Sequence, residues 1–228
     1  PRNYVAYLIA DVNDMGVIFG SCDNFGRITQ LSNDLNSVLC RALAEPTKKL
    51  LQIEIETPFI PVLPLILGGD DLFVLMPAQW ALDFTRCFCE RFEAYIQQAL
   101  KEEISFQPTI SAAVIICKAK FPYTIAHALG EELLKDAKKV AKENKISTIS
   151  FRVITGNEVV KASEKDTTQT FVAGYPVYSV AEIKKLLAYR KELADLPGRR
   201  RAQLQSMFYK AEEIDYGKIT KEWRPEME

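Results

Sequence analysis

"LPLILGGDDLFVLMP", residues 63–77, decides how the rest of the chain is read. Its two apolar runs suit the middle of a protein, yet Gly68, Gly69, Asp70 and Asp71 break them apart. The pattern reads as strands over 59–67 and 72–76 joined by a hairpin turn. Gly and Asp dominate ordinary surface turns, so a plain turn is one reading of the tetrapeptide. The other starts from electrostatics. A carboxylate among apolar strands needs a partner, and two adjacent ones repel each other. The surroundings choose between the two.

Upstream, "YVAYLIAD" at residues 4–11 is β-rich and nearly all apolar, as in a central strand covered on both faces, and it ends on Asp11. Residues 12–27 are rich in Gly and Asn and read as a loop, in which Asp14 and Asp23 either join a site at the end of the first strand or, the reading preferred, serve turn geometry. Leu31, Leu35, Val38, Leu39, Ala42 and Leu43 then recur at helical spacing from Thr29 to about Glu45, with Pro46 just past the end. Beyond the hairpin, Pro77 and Trp80 open a second helix carrying Phe84, Phe88, Phe92, Ile96 and Leu100 in steps of four. A strand over 109–117 follows. Thr124 is placed to cap a helix running to about Glu143, and "STISFRVI" at 147–154 reads as a last strand.

Through residue 117 the order is β-α-β-β-α-β, so the fold class is α+β, ferredoxin-like, with an added helix and strand. The usual strand order of that fold sets the first strand antiparallel to the third in mid-sheet. Asp11 then meets Asp70 and Asp71 at one sheet edge. Carboxylates gathered there are tolerable if a divalent cation sits among them. An aspartate ending the first strand therefore favours a site over a plain turn.

Hard oxygen donors without His or Cys select Mg²⁺ or Mn²⁺ over zinc. Magnesium shares its coordination with substrate phosphates, so such a cluster suits a nucleotide and its metal. A pair of ions would activate a hydroxyl and stabilise a leaving pyrophosphate. Gly68 and Gly69, lacking Cβ, let a nucleotide approach the backbone. Lys118 and Lys120, with Lys135, Lys138 and Lys139 on the next helix, are candidates for phosphate contacts near the same edge; the alternative is a solvated face. His127, the only histidine, sits between Ile125 and Leu129 and reads as a half-buried spectator rather than a base.

Composition sets outer bounds. The 228 residues are 48% hydrophobic with a formal net charge of −1, which excludes a global basic field for duplex DNA. The five cysteines are scattered and odd in number, as in a reducing, cytoplasmic setting rather than a disulfide framework. No stretch has membrane-spanning length and no leader is read, so no membrane partner is expected. The chain opens on Pro1, as a processed start or an excised domain would.

With these residues in place, the chain resembles the GGDD-bearing palm domain of the large subunit of type III CRISPR effector complexes (the Cas ten or Cmr two family), a relative of the GGDEF nucleotide cyclases. The resemblance is carried by "YVAYLIADVNDMG", "LILGGDDLFVLMPAQWALDF", "TISAAVIICKAKFPYTIAHALGEELLKDAKK" and "ISTISFRVITG", over about residues 4–156. It implies a nucleotidyltransferase of antiviral defence that joins ATP into cyclic oligoadenylates. A ribose 3′-hydroxyl attacks the α-phosphate of the next ATP, and pyrophosphate leaves. By the resemblance, Asp11, Asp70 and Asp71 are catalytic, and Asp11, Val12, Asp70 and Asp71 are metal positions for Mg²⁺ or Mn²⁺. Gly68, Gly69, Ser111, Lys120 and Lys138 are nucleotide contacts. Asn13 stands where the family often has a second acid, and Lys118 where it often has His.

The family's nuclease domain, first palm and zinc module have no counterpart in these residues. Joining two nucleotides needs facing sites, so a second palm is expected, from a longer protein or from a second copy. Effector subunits and RNA are the other partners implied. After residue 160 the composition changes: residues 1–160 read as the palm, and 161–228 as a polar loop and helical extension broken near Pro197 and Gly198. The first of its helices has Val180, Ile183, Leu186 and Leu187 as its apolar side. Arg199, Arg200 and Arg201 would meet RNA or a partner, or simply start a solvated helix. Two rival functions remain: a GTP-using cyclic dinucleotide synthase, against which the Asp71-Leu72-Phe73 run in place of Glu-Phe speaks, and a non-catalytic palm that binds nucleotide or guides assembly.

Overall fold

The structure is a computed structural model that describes residues 3–53, 59–100, 108–154 and 176–202. The chain falls into two compact units, Pro1–Lys184 and Lys185–Glu228. The first is built on a six-stranded sheet. Its strands are β1 (Tyr4–Val12), β2 (Leu63–Gly68), β3 (Asp71–Pro77), β4 (Ile110–Lys118), β5 (Thr148–Val153) and β6 (Val177–Ser179). Their order is β2-β3-β1-β4-β5-β6, with β1 antiparallel to both neighbours and β4 parallel to β5. The first four strands have the expected ferredoxin-like order.

Helices α2 (Phe25–Ile53) and α3 (Ala81–Ala99) pack on each other. Leu35, Leu39, Phe84, Phe88, Phe92 and Ile96 are buried between them and the sheet face bearing Leu8, Leu72 and Val74. The four-residue phenylalanine spacing read from the sequence is this helix stripe. On the opposite face α4 (Tyr123–Asn144) lays Ala126, Leu129, Leu133 and Leu134 over Tyr7, Ile9, Phe73, Ala113 and Ile115. Gly130 sets the closeness of that contact: a Cβ there would stand 2.5 Å from Ile9 Cδ1. Thus α4 runs tight along β1 and β4 toward the end of the sheet that carries Asp11.

Several boundaries differ from the sequence reading. Residues 12–27 contain a short helix, α1 (Met15–Gly20), which buries Met15 and Ile18. Pro46 lies inside α2 rather than beyond it; burial of Leu43 and Leu50 on either side holds the helix together where one backbone hydrogen bond is missing. Pro122, not Thr124, stands at the start of α4, with its carbonyl accepting from the Ala126 N–H at 3.1 Å. The strand β6, three residues at the sheet's edge, lies in what the sequence reading assigns to the extension. It leads into α5 (Val180–Asp195), where Ser179 and Glu182 cap each other's backbone reciprocally. Ile183 of the expected apolar side is fully buried, whereas Leu186 is exposed. The polar loop of 161–175 and the end of the chain lie outside the described residues.

The largest correction concerns the opening stretch. Only β3 is interior; β2 is an edge strand whose six residues are all exposed. An apolar run signals a strand but does not say whether a neighbour covers it, and none of the described residues covers β2. All five cysteines are unpaired, and Cys87, Cys89 and Cys117 are buried. Among the described residues no helix is long and apolar enough to cross a membrane.

Candidate functional site

The antiparallel pairing of β1 with β3 sets Asp11 directly opposite Asp71. The Val12 N–H donates to the Asp70 carbonyl at 3.2 Å, closing the edge beside them. Gly68 pairs with Asp71 across the hairpin, and Gly69 has a φ of 64°, a left-handed conformation that a Cβ would strain. The three aspartates therefore share one end of the sheet, as the strand order requires.

Their side chains are not equally placed. Asp71 is exposed and Asp70 half-buried, so the adjacent pair that posed the opening problem is solvated. Asp11 is the desolvated one, with its side chain 16% exposed. Its partner is Lys138 of α4, whose Nζ lies 2.7 Å from Asp11 Oδ2. Burial lifts the Asp11 pKa from 3.8 to about 6; the hydrogen bond and charge of Lys138 oppose this, and the charges of Asp70 and Asp71 add to it. Among the described residues no three acidic, His or Cys side chains converge as a metal-holding group. The sequence expectation of three carboxylates closing on one ion is thus met by the backbone and not by the rotamers. The donors still fit a hard cation: the cleft is lined by the carboxylates of Asp11, Asp14 and Asp70 and by no His or Cys among the described residues, and Asp11 is raised by two like charges that a cation would offset.

Behind Asp11 lies a buried polar chain. Ser111, the β4 partner of Asp11, is wholly buried and donates to Asn13 Oδ1 at 2.9 Å. Asn13 Nδ2 donates to Thr109 Oγ1 at 2.9 Å. Thr148 shares its hydroxyl proton between Ser111 Oγ at 3.2 Å and the Ala137 carbonyl at 2.9 Å. Asn13, 8% exposed, therefore faces inward and braces the site. Ser111 likewise faces the interior rather than the surface on which a nucleotide would lie.

The lysines separate. Lys138 reaches the acidic edge, and Lys142, one turn on, lines the same cleft of about 300 Å³ with Asp11, Val12, Asn13, Asp14 and Asp70. Lys142 is missing from the sequence reading, although its position four residues after Lys138 is a signal that points to it. Lys135 lines an adjoining cleft with Glu131 and Glu132. Lys118 pairs with Tyr4 at the opposite end of β4 from Ser111, and Lys120 lies beyond it. Seven strand steps of ~3.3 Å part Lys118 from the acids, so these two lysines are not gathered at the same edge as expected. His127 is partly exposed, edge-on to Phe73 with centroids 5.3 Å apart, and 3.9 Å from Glu131. Asp14 has a φ of 61° and accepts the N–H groups of Val17 and Ile18 through its carbonyl, a turn role.

The family described as Cas10/Cmr2, second palm domain, matches residues 4–147, more than half of the chain. No curated protein matches. Among solved structures, the Csm1-Csm4 cassette in complex with pppApA superposes with a TM-score of 0.60 at 13% identity over 90% of this chain. The same cassette with cA4 and with AMPPNP gives 0.59 at 14% identity, again over 90%. Identities this low speak for the fold alone, and the chain spans 28% of the length of each matched chain. The matched segment runs from β1 to the end of α4 and so contains the whole acidic edge: the chain belongs to the Cas10/Cmr2 family, as its second palm domain.

Proposed function

We propose that this palm joins ATP into oligoadenylate, the activity that the sequence resemblance implies. The observation that carries the reading is the pairing of Asp11 with Asp71 beside an open cleft holding two lysines. The relatives with the same fold, solved with pppApA, cA4 and AMPPNP, support adenine nucleotides as its ligands.

In this reading Asp11, Asp70 and Asp71 would hold Mg²⁺ or Mn²⁺, to which Val12 would contribute from the main chain. When bound, the ion neutralises phosphate charge and favours ionisation of the attacking hydroxyl. The chain's own groups orient the reactants. Gly68 and Gly69 admit the nucleotide to the backbone, and Lys138 and Lys142 offer ammonium groups to the phosphates. A ribose 3′-oxygen bonds to the α-phosphorus of the next ATP as the α–β phosphoanhydride breaks. The hydroxyl proton goes to solvent and pyrophosphate leaves. Ser111 acts from behind, by bracing Asn13. Lys120 sits with the far end of β4 and takes no part here.

Both reactants must meet, so the site faces another palm, the family's first palm in a longer chain or another copy of this one. The relatives crystallised as Csm1-Csm4 cassettes, and a Csm4-like subunit is the fitting effector partner. Arg199, Arg200 and Arg201, all exposed, are available to RNA or to such a partner. Incubation with each radiolabelled nucleoside triphosphate and Mg²⁺ or Mn²⁺, beside an Asp70→Ala/Asp71→Ala control, tests the proposal. Oligoadenylate from ATP alone supports it. Product from GTP would make the chain a cyclic dinucleotide synthase, and nucleotide bound without turnover would make it an assembly module.

A further inference from the structure

Lys138 stands where a cation would have to stand to neutralise Asp11. Its ammonium is 2.7 Å from Oδ2 of the least solvated acid of the site, and its own side chain is 41% exposed. The pairing is built into the fold. Gly130 allows α4 to lie against Ile9, two residues before Asp11. Thr148 ties down the carbonyl of Ala137, the residue before Lys138. Asp70 and Lys142 line the same cleft, so an anion entering it meets ammonium groups as well as acids.

We propose that Lys138 is the resident counter-ion of Asp11 in the nucleotide-free protein, and that a divalent cation and a triphosphate displace it together. The cation takes over the carboxylate. The freed ammonium swings to an anionic phosphate oxygen in the same cleft. This rests on the proposed function and adds a consequence to it: metal without nucleotide must compete with Lys138, and nucleotide without metal must compete with Asp11. Each ligand therefore tightens the other, by the same factor in both directions. Free cations are therefore held less tightly until the substrate arrives.

Mn²⁺ binding to the 228-residue chain, followed by electron paramagnetic resonance with and without a non-hydrolysable ATP analogue, tests this. Wild-type protein, Lys138→Gln and Lys138→Arg are compared, with circular dichroism reporting the fold. Without nucleotide, Lys138→Gln should bind Mn²⁺ about tenfold tighter than wild type, a charge-assisted bond discounted for partial exposure. The analogue should tighten Mn²⁺ in wild type and in Lys138→Arg, and should tighten it about tenfold less in Lys138→Gln, where only direct coordination of the ion by the phosphates remains. The counter-ion role is overturned if Lys138→Gln binds free Mn²⁺ no better than wild type. It is overturned as well if wild type shows no reciprocal coupling. Should none of the three proteins bind Mn²⁺ or the analogue, the proposed function falls, and the inference with it.

Discussion

Replacing Asp11 by Asn should stabilise the fold while ending the proposed nucleotidyl transfer. In the folded protein the Asp11 carboxyl titrates at about 6 rather than 3.8, because burial and the charges of Asp70 and Asp71 outweigh the help of Lys138. Below about pH 4 the group is protonated in both folded and unfolded chains and has no net effect. Between about 4 and 6 the folded chain keeps a proton that the unfolded chain has lost. Above 6 both are ionised, and the folded state carries the whole penalty. That displacement corresponds to about 3 kcal/mol at neutral pH. The amide of the Asp11→Asn variant carries no charge to desolvate, though it leaves Lys138, 41% exposed, with a weaker partner. A net gain of about 1–3 kcal/mol remains. For a chain of this size each kcal/mol moves Tm by roughly 2–4 °C. Thermal unfolding from pH 4 to pH 8 is the assay. The Asp11→Asn protein should melt several degrees higher than wild type at pH 8, and the two should converge near pH 4. A variant less stable than wild type at pH 8 would refute the account, because Lys138 would then be a better partner than burial is a penalty.

The same ionisation governs cation binding. Mn²⁺ affinity, read by electron paramagnetic resonance, should hold constant above pH 6 and fall about tenfold per unit below it, as protons compete for Asp11. Thr148→Val keeps the buried shape but removes the hydroxyl that reaches Ser111 and the Ala137 carbonyl; a loss of about 1 kcal/mol, seen as a Tm lower by roughly 2–4 °C, is the expected result. Gly69→Ala should destabilise by about 1 kcal/mol in denaturant melts because of the φ of 64°, whereas Gly69→Asn, which tolerates that conformation, should stay near wild type.

Much of the site is legible in the sequence. The apolar runs of residues 4–11 and 72–76, and the order of strands and helices around them, place Asp11 beside Asp70 and Asp71. The register of Asp11 with Asp71 bears that out. Lys138, which the resemblance singles out, does reach the edge, while Lys118 and Lys120 do not. Adjacency in sequence says that a residue follows a strand, but the direction of that strand decides which end of the sheet it occupies. The resemblance makes Ser111 a nucleotide contact; alternation along β4 makes a serine possible at that position, yet only the packing of Asn13 and Thr148 shows that its hydroxyl is consumed inside.

What the amino acids determined alone is the set of elements and their order, because period, glycine turns and chain connectivity are local properties that survive any change of surroundings. With them came the end of the sheet at which the acids gather. Tertiary structure decided what each side chain meets there. It half-buried Asp11 and left Asp71 in water, exposed β2 at the edge, and brought an ammonium from α4 onto the strand-one carboxylate. Desolvation and pairing depend on which atoms lie within a few ångströms across the sheet, and residues 11 and 138 become neighbours only when α4 docks.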